Sequence, residues 1–135
     1  MAKSDYLEVE IIKHLFRTGS FTKPTILGIA LFTAAPSDAG GGTEVTGGSY
    51  ARVDTPPLDA NWDATSGTDG LTANTGIITF ATPTANWGTI THFGIFDATT
   101  GGNLLYHGAL TSSKTVNNGD PAPTFPAGAL TVTES

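Results

Sequence analysis

The stretch TITHFGIFDATTGGNLLYHGALT, residues 89–111, decides the fold. It holds two runs rich in β-branched and aromatic residues, 89–97 and 103–111, which suit a pleated, half-buried surface. Between them lies Ala98-Thr99-Thr100-Gly101-Gly102, a loop of ordinary hairpin length. The reading is an antiparallel hairpin, and the rest of the chain is organised around it.

Moving outward, the same texture recurs. Residues 25–33 form a nearly continuous apolar run, long enough for a buried strand, and stop at the turn-forming Ala34-Ala35-Pro36-Ser37-Asp38. Residues 50–54 read as a short strand, ended by Pro56 and Pro57, and residues 71–81 as a longer one, strongest at Ile77-Ile78-Thr79-Phe80. Trp87-Gly88 is a turn, with Trp87 a core or corner aromatic. Residues 114–116 and 129–133 add two further strands. Segments 36–49, rich in glycine, and 55–70, polar around Trp62, read as long loops. About seven or eight short strands that never alternate with helices predict an all-β antiparallel sandwich or barrel over residues 25–133.

One amphipathic helix precedes this core. Ser4 is a good N-cap, Asp5 and Glu8 suit the positive end of the helix dipole, and Gly19 is a natural C′ residue. Leu7, Ile11, Ile12, Leu15 and Phe16 recur at helical spacing, predicting a helix over 5–17. Its stripe has two readings: packing on the domain's own sheet, or docking in part on a partner. His14 falls on the solvent side. Residues 1–135 form a single domain in this reading.

Composition narrows function. With Cys 0, disulfides, thiol nucleophiles and zinc–thiolate sites are excluded. The formal net charge is −6 and Lys and Arg total 6 without clustering, which argues against nucleic acid. Residues 1–10 carry charges of both signs and no apolar h-region, so no signal peptide is expected. The longest apolar stretch, 26–32, is too short to span a bilayer, and no membrane partner is expected.

No pattern of residues carries recognisable catalysis. His92 and His107 lie on consecutive strands and can face each other across the hairpin, but a pair lacks the third and fourth ligands of a metal site. Asp97 falls on the other face from His92. Asp59-Ala60-Asn61-Trp62-Asp63 starts like a calcium loop, yet Ala64 and Gly70 stand where Gly and Glu are needed. A looser calcium site among Asp59, Asp63 and Asp69 stays open. Ser49 lacks the strand-to-helix setting of a nucleophile elbow, and the glycine-rich 40–48 loop has no Lys and opens no helix. The expectation is no enzyme and no cofactor. Tyr50 and Arg52 alternate and share a face. Arg52 and Glu44 flank the glycine loop and form either an ion pair that orders it for a neighbour or a solvated surface pair. Tyr6, His14, Glu44, Tyr50, Arg52 and Trp62 are the candidate protein-contact residues.

Several segments together are also familiar: LFTAAPSD at 31–38, GTEV at 42–45 running through Tyr50-Ala51-Arg52, WGTITHFGIFD at 87–97, GNLLYHGAL at 102–110 and GALT at 128–131. The sequence resembles a family of small phage virion proteins commonly labelled tail fibre protein. Several members or look-alikes of that family are thought to serve as capsid decoration (cement) proteins. It departs mainly at Pro121-Ala122-Pro123, before the last strand. The resemblance implies a virion structural protein made in the host cytoplasm. On one reading it sits on the capsid surface as a symmetric homo-oligomer, binds across junctions of the major capsid protein and stabilises the shell. On the alternative it is a tail fibre or baseplate component that meets the host, with Trp62 as the only candidate sugar platform. A lectin or enzyme unrelated to phage has the least support.

Overall fold

The computed structural model describes residues 1–134. In chain order the elements are β1 (Ala2–Lys3), α1 (Asp5–Phe16), β2 (Gly28–Ala34), β3 (Thr43–Glu44), β4 (Val53–Asp54), β5 (Gly70–Ala73), β6 (Ile78–Thr79), β7 (Gly88–Phe96), β8 (Leu104–Val116), β9 (Thr124–Phe125) and β10 (Thr131–Glu134). The expected hairpin is β7–β8, closed by the Asp97 carboxylate, which accepts from the Asn103 backbone N–H at 2.7 Å and its side-chain amide at 2.9 Å. β8 pairs on its far side with β1, and β7 with β2, whose other edge is shared by β3 and β4. All pairings are antiparallel. The ribbons β5–β10 and β6–β9 contribute to a second layer, giving the expected sandwich-like, mostly β architecture with one N-terminal helix.

The apolar run of β2 explains this layering. Residues 28–32 are all buried, so both faces of the strand need cover. Ile29 and Leu31 join Ile90, Phe93, Ile95 and Val116 on one face of the sheet. Against them pack Val45, Ile78, Phe80, Trp87 and Leu130 from the loops and small ribbons. Each such side chain contributes about 1.5–3 kcal/mol when withdrawn from water. The opposite face holds Phe32 stacked on Phe96 with ring centroids 6.2 Å apart. Gly94 lies beneath them, where an added Cβ would come within 2.9 Å of the Phe32 ring and 3.1 Å of Phe96. Only glycine fits there.

The helix is attached through an irregularity in β8. Ile95 pairs with Tyr106 but Phe96 pairs with Leu104, so the register shifts and leaves Leu105 as an extra residue. Leu104 and Leu105 are consequently both buried. Their carbonyls hold Ser4: its backbone N–H donates to Leu105 O at 2.9 Å and its hydroxyl to Leu104 O. The same hydroxyl accepts from the Leu7 N–H at 3.1 Å, which makes Ser4 the expected N-cap as well as the anchor.

Several boundaries differ from the sequence reading. The helix ends at Phe16, with Arg17 as an extended cap whose N–H returns to Lys13 O. Gly19 does not adopt the left-handed conformation of a C′ glycine. The segment 71–81 is two strands rather than one, because Asn74 is buried between them and tied elsewhere. Its amide donates to Gly76 O at 2.8 Å and Pro126 O at 2.9 Å, and its oxygen accepts from the Leu130 N–H at 2.9 Å. Conversely, the separate strands expected at 103–111 and 114–116 are one continuous β8. Residues 50–52 lie outside β4, and the 36–49 loop contains β3.

The two end strands meet. Lys3 is paired with Glu134, whose carboxylate also accepts from the Tyr106 hydroxyl at 2.5 Å. Burial disfavours ionisation of Glu134, but the hydrogen bonds from Lys3 and Tyr106 outweigh it and hold the carboxyl below its ordinary value. Lys3 is shifted up, first by its hydrogen bond to Glu134. A lowered acid stabilises the fold above its unfolded value and loses that contribution as pH falls through the folded one. A raised base does so below its unfolded value and loses it as pH rises. The contribution is therefore whole between the ordinary values of 4.5 and 10.5.

Two measurements check these attachments. Ser4→Ala removes both the cap and the anchor and lowers unfolding free energy by about 1–3 kcal/mol in urea titration. Glu134→Gln lowers the urea midpoint slightly at neutral pH. The gap to the parent protein closes as pH is taken well below the ordinary carboxylate value.

Candidate functional site

The edge of β2 determines how the candidate residues gather. β4 covers Gly28 and Ile29, and β3 covers Phe32 and Ala34, which leaves a gap at Leu31. The Tyr50 hydroxyl fills it. It accepts from the Leu31 N–H at 3.0 Å and donates to Glu44 Oε2 at 2.7 Å. Its ring lies edge-on to Trp87, centroids 5.4 Å apart, on the core side. Burial, and secondarily the neighbouring Glu44, push the phenol far above its ordinary value, while the Leu31 N–H works the other way. Tyr50 therefore stays a neutral donor at any physiological pH.

Arg52 completes the cluster. Its Nε and Nη2 grip Glu44 at 2.9 and 2.8 Å, a two-pronged pairing. Its Nη1 donates to Ala98 O at 3.1 Å and Gly101 O at 2.7 Å, and the guanidinium lies 3.7 Å from the Phe96 ring centroid. The Arg52 side chain is only 8% exposed. The reading of a solvated surface pair is thereby corrected: one side chain joins the β3 loop, the β7–β8 hairpin loop and the sheet face. The glycine loop is fastened at its other end by Trp87, whose indole N–H donates to Gly48 O at 2.9 Å. Gly48 is left-handed, and a Cβ there would come within 2.8 Å of the indole nitrogen.

The remaining candidates lie apart from this cluster. Trp62 is half-buried, donates from its indole to Thr55 O at 3.2 Å and packs on the core, so it is no freely exposed platform. It lines a cavity of about 850 Å³ with Leu27, Leu58, Ile95, Leu105, Tyr106 and Val132, to which Lys23, Asp59 and Asp63 also contribute. His14 is exposed, as expected, and its Nδ1 accepts from the Phe21 N–H at 3.2 Å, closing the turn after the helix. Tyr6 is exposed on the helix.

The helix departs most from its expected packing. Along the line Leu7, Ile11, Leu15 burial falls away: Leu7 is 5% exposed, Ile11 is half-buried and Leu15 is 66% exposed. The helix therefore touches the sheet with its first turns and then leaves it. Packing of the whole stripe on the domain's own sheet is not what forms. Val9, Ile12 and Phe16 are 51%, 53% and 76% exposed.

His92 and His107 share a sheet face but each has its own partner: His92 bonds the Thr91 hydroxyl at 2.8 Å and His107 the Asp38 carboxylate at 2.8 Å. Among the described residues, no three His, Asp or Glu side chains converge as a metal site, and Asp59, Asp63 and Asp69 do not meet as one. Asp63 accepts from the Thr75 hydroxyl instead.

Residues 2–133 match the family described as podophage GP4 fiber I protein gp80. The chain belongs to this family. Membership makes it a phage virion protein of fibre type, in line with the resemblance carried by its motifs. The GP4 fiber I match spans the helix, the full main sheet and the Tyr50–Glu44–Arg52 cluster. No curated protein matches the sequence. Among the described residues, no helix is long and apolar enough to cross a membrane.

Sequence reasoning placed Glu44, Tyr50 and Arg52 together but missed Phe96 and the Ala98 and Gly101 carbonyls, which the hairpin delivers from far along the chain. It also left Val9 out of the apolar set. A helical wheel at about 100° per residue contains that signal. Tyr50→Phe leaves the Leu31 N–H without an acceptor and removes one of the donors to Glu44, and it lowers stability by about 1–3 kcal/mol in urea titration. Arg52→Ala costs a similar amount. The double variant falls short of the sum, because both act through Glu44.

Proposed function

We propose that this chain is a rigid, non-catalytic module of the phage particle that works by docking to other protein chains, and that it serves in the fibre apparatus. The observation that carries the reading is α1: a helix fixed firmly at Ser4 and then projected from the sheet with Val9, Ile12, Leu15 and Phe16 in water. A contiguous exposed apolar surface on a small domain marks an interaction site. The family description supports placement in a fibre. The net charge of −6 supports protein rather than nucleic-acid or anionic-membrane partners. The histidines, each committed to a neighbour, support a role without catalysis.

A second reading keeps the chain on the capsid surface, as a homo-oligomeric decoration protein that spans major capsid protein junctions and stabilises the shell. It is favoured by the pinned loops around Arg52, which suit a compact cementing block, and by the lack of any sequence repeat of the kind long fibres carry. Copy number separates the two. Quantitative mass spectrometry of purified particles is expected to give a few to a few dozen copies against the major capsid protein. A count on the order of hundreds overturns the fibre assignment in favour of the shell, where closed symmetry repeats one contact over many subunits.

A further inference from the structure

The cavity of about 850 Å³ beside Trp62 has the volume of a ligand pocket, and its half-buried walls have already spent their donors. Trp62 gives its indole N–H to Thr55 O at 3.2 Å, Tyr106 its hydroxyl to Glu134 at 2.5 Å and Thr72 its hydroxyl to Asp63 O at 2.7 Å. Ile95, Leu105 and Val132 add only aliphatic surface. A sugar or nucleotide entering there would bury hydroxyls against walls with no donor left for them, whereas an apolar group loses nothing. The rim is different. Lys23, Leu58, Asp59 and Asp63 line the same cavity but are exposed. Among the described residues none of the three rim charges is in an ion pair, and the carboxylates outnumber the ammonium. Leu58 is 59% exposed although its backbone is fixed: its N–H donates to Pro56 O at 2.8 Å, and its carbonyl accepts from the Asn61 and Trp62 N–H groups at 2.9 and 3.2 Å. An apolar side chain is thus held in water beside an apolar cavity.

We propose that this cavity docks an extended segment of a different protein of the particle, one with a large apolar side chain and a lysine or arginine two positions away; this deepens the reading of the chain as a docking module and rests on it. The apolar side chain fills the space lined by Ile95 and Leu105. The basic side chain meets Asp59 and Asp63, and the segment covers Leu58 as it crosses the rim. The interior selects the apolar group and the acidic excess at the rim selects the charge beside it. Residues two apart in an extended segment lie on one side, about 6.6 Å from each other, so cavity and rim are reached together. A free amphiphile carries one head group and leaves Leu58 in water. The fixed backbone around Leu58 means that little of the protein has to be ordered on binding.

Amide-resolved NMR titration of the full chain tests this with a capped pentapeptide of lysine, glycine, phenylalanine, glycine and lysine. The expected result is saturable shifts at the Ile95, Leu105 and Val132 amides, with a dissociation constant on the order of 0.1–1 mM. Replacing both lysines by glutamate, or the phenylalanine by alanine, weakens binding about tenfold. Asp59→Lys weakens the lysine peptide severalfold and strengthens the glutamate one, and Leu58→Ser weakens both. The two residues are exposed in a loop, so far-UV circular dichroism stays unchanged. Absence of saturable shifts up to about 10 mM peptide overturns the proposal, as does equal binding of the lysine and glutamate peptides. So does octylammonium shifting these amides at lower concentration than the peptide, which would make the cavity a site for free amphiphiles. Shifts at the same amides on concentrating the protein alone would mean that a second copy fills the cavity, and they overturn it too. Any of these results leaves the proposed function standing. Failure of that function would appear instead in the particle copy number, which does not depend on what the cavity binds.

Discussion

The burial of β2 on both faces is the constraint from which the rest of the molecule follows. A strand covered above and below must have its edge groups met, since an unpaired buried N–H forfeits water without compensation. One edge is met by β7 over five consecutive residue pairs, 28–32 against 96–92. The other receives only two short strands, and neither supplies an acceptor for the Leu31 N–H between them. The chain answers with a side chain: the Tyr50 phenol takes the place of a backbone carbonyl at Leu31 and hands the interaction on to Glu44 and Arg52. The polar cluster is thus a consequence of strand burial, and its loop-ordering effect follows from where β2 runs out of neighbours.

The second layer obeys the same logic with less regular structure. Its ribbons pair over only two and four residues, too little to persist alone, and they depend on the apolar face of the main sheet and on Asn74. That buried amide bonds Gly76, Pro126 and Leu130, so the segments carrying β5, β6, β9 and β10 share one junction. On the far face, the extra residue at Leu105 turns two carbonyls of β8 toward Ser4 and sets where the helix begins. The anchor lies at the N-cap Ser4, which allows the later turns of the helix to leave the surface.

What was legible in the sequence is what depends on local pattern. The apolar run at 25–33, the hairpin with its five-residue loop and the Ser4 cap each state their structure within a dozen residues. The Glu44–Arg52 pair was readable because both flank one loop. Contacts closed over long chain distances were not. β1 and β9 have two residues each and exist only because β8 and β6 lie beside them. The break at Asn74 depends on carbonyls more than fifty residues away, and the bulge at Leu105 on a register that no local propensity encodes. The helix shows the limit most clearly. Its spacing announced an apolar face, but spacing alone does not tell whether the sheet extends far enough to cover it, and here it does not.

The way α1 is spliced into the sheet has a mechanical consequence. A load applied to the helix has two routes into the domain. The route through Ser4 enters β8 at once, borne by a few hydrogen bonds at the bulge. The route through residues 17–27 is an irregular segment that can extend by about 3.3–3.6 Å per residue before tension reaches β2. Strain therefore falls first on the short route. If it yields, the long route takes up slack while β2, embedded on both faces, holds. The helix is arranged as a shock absorber: a stiff first link, a compliant second one, and the most deeply buried strand behind both.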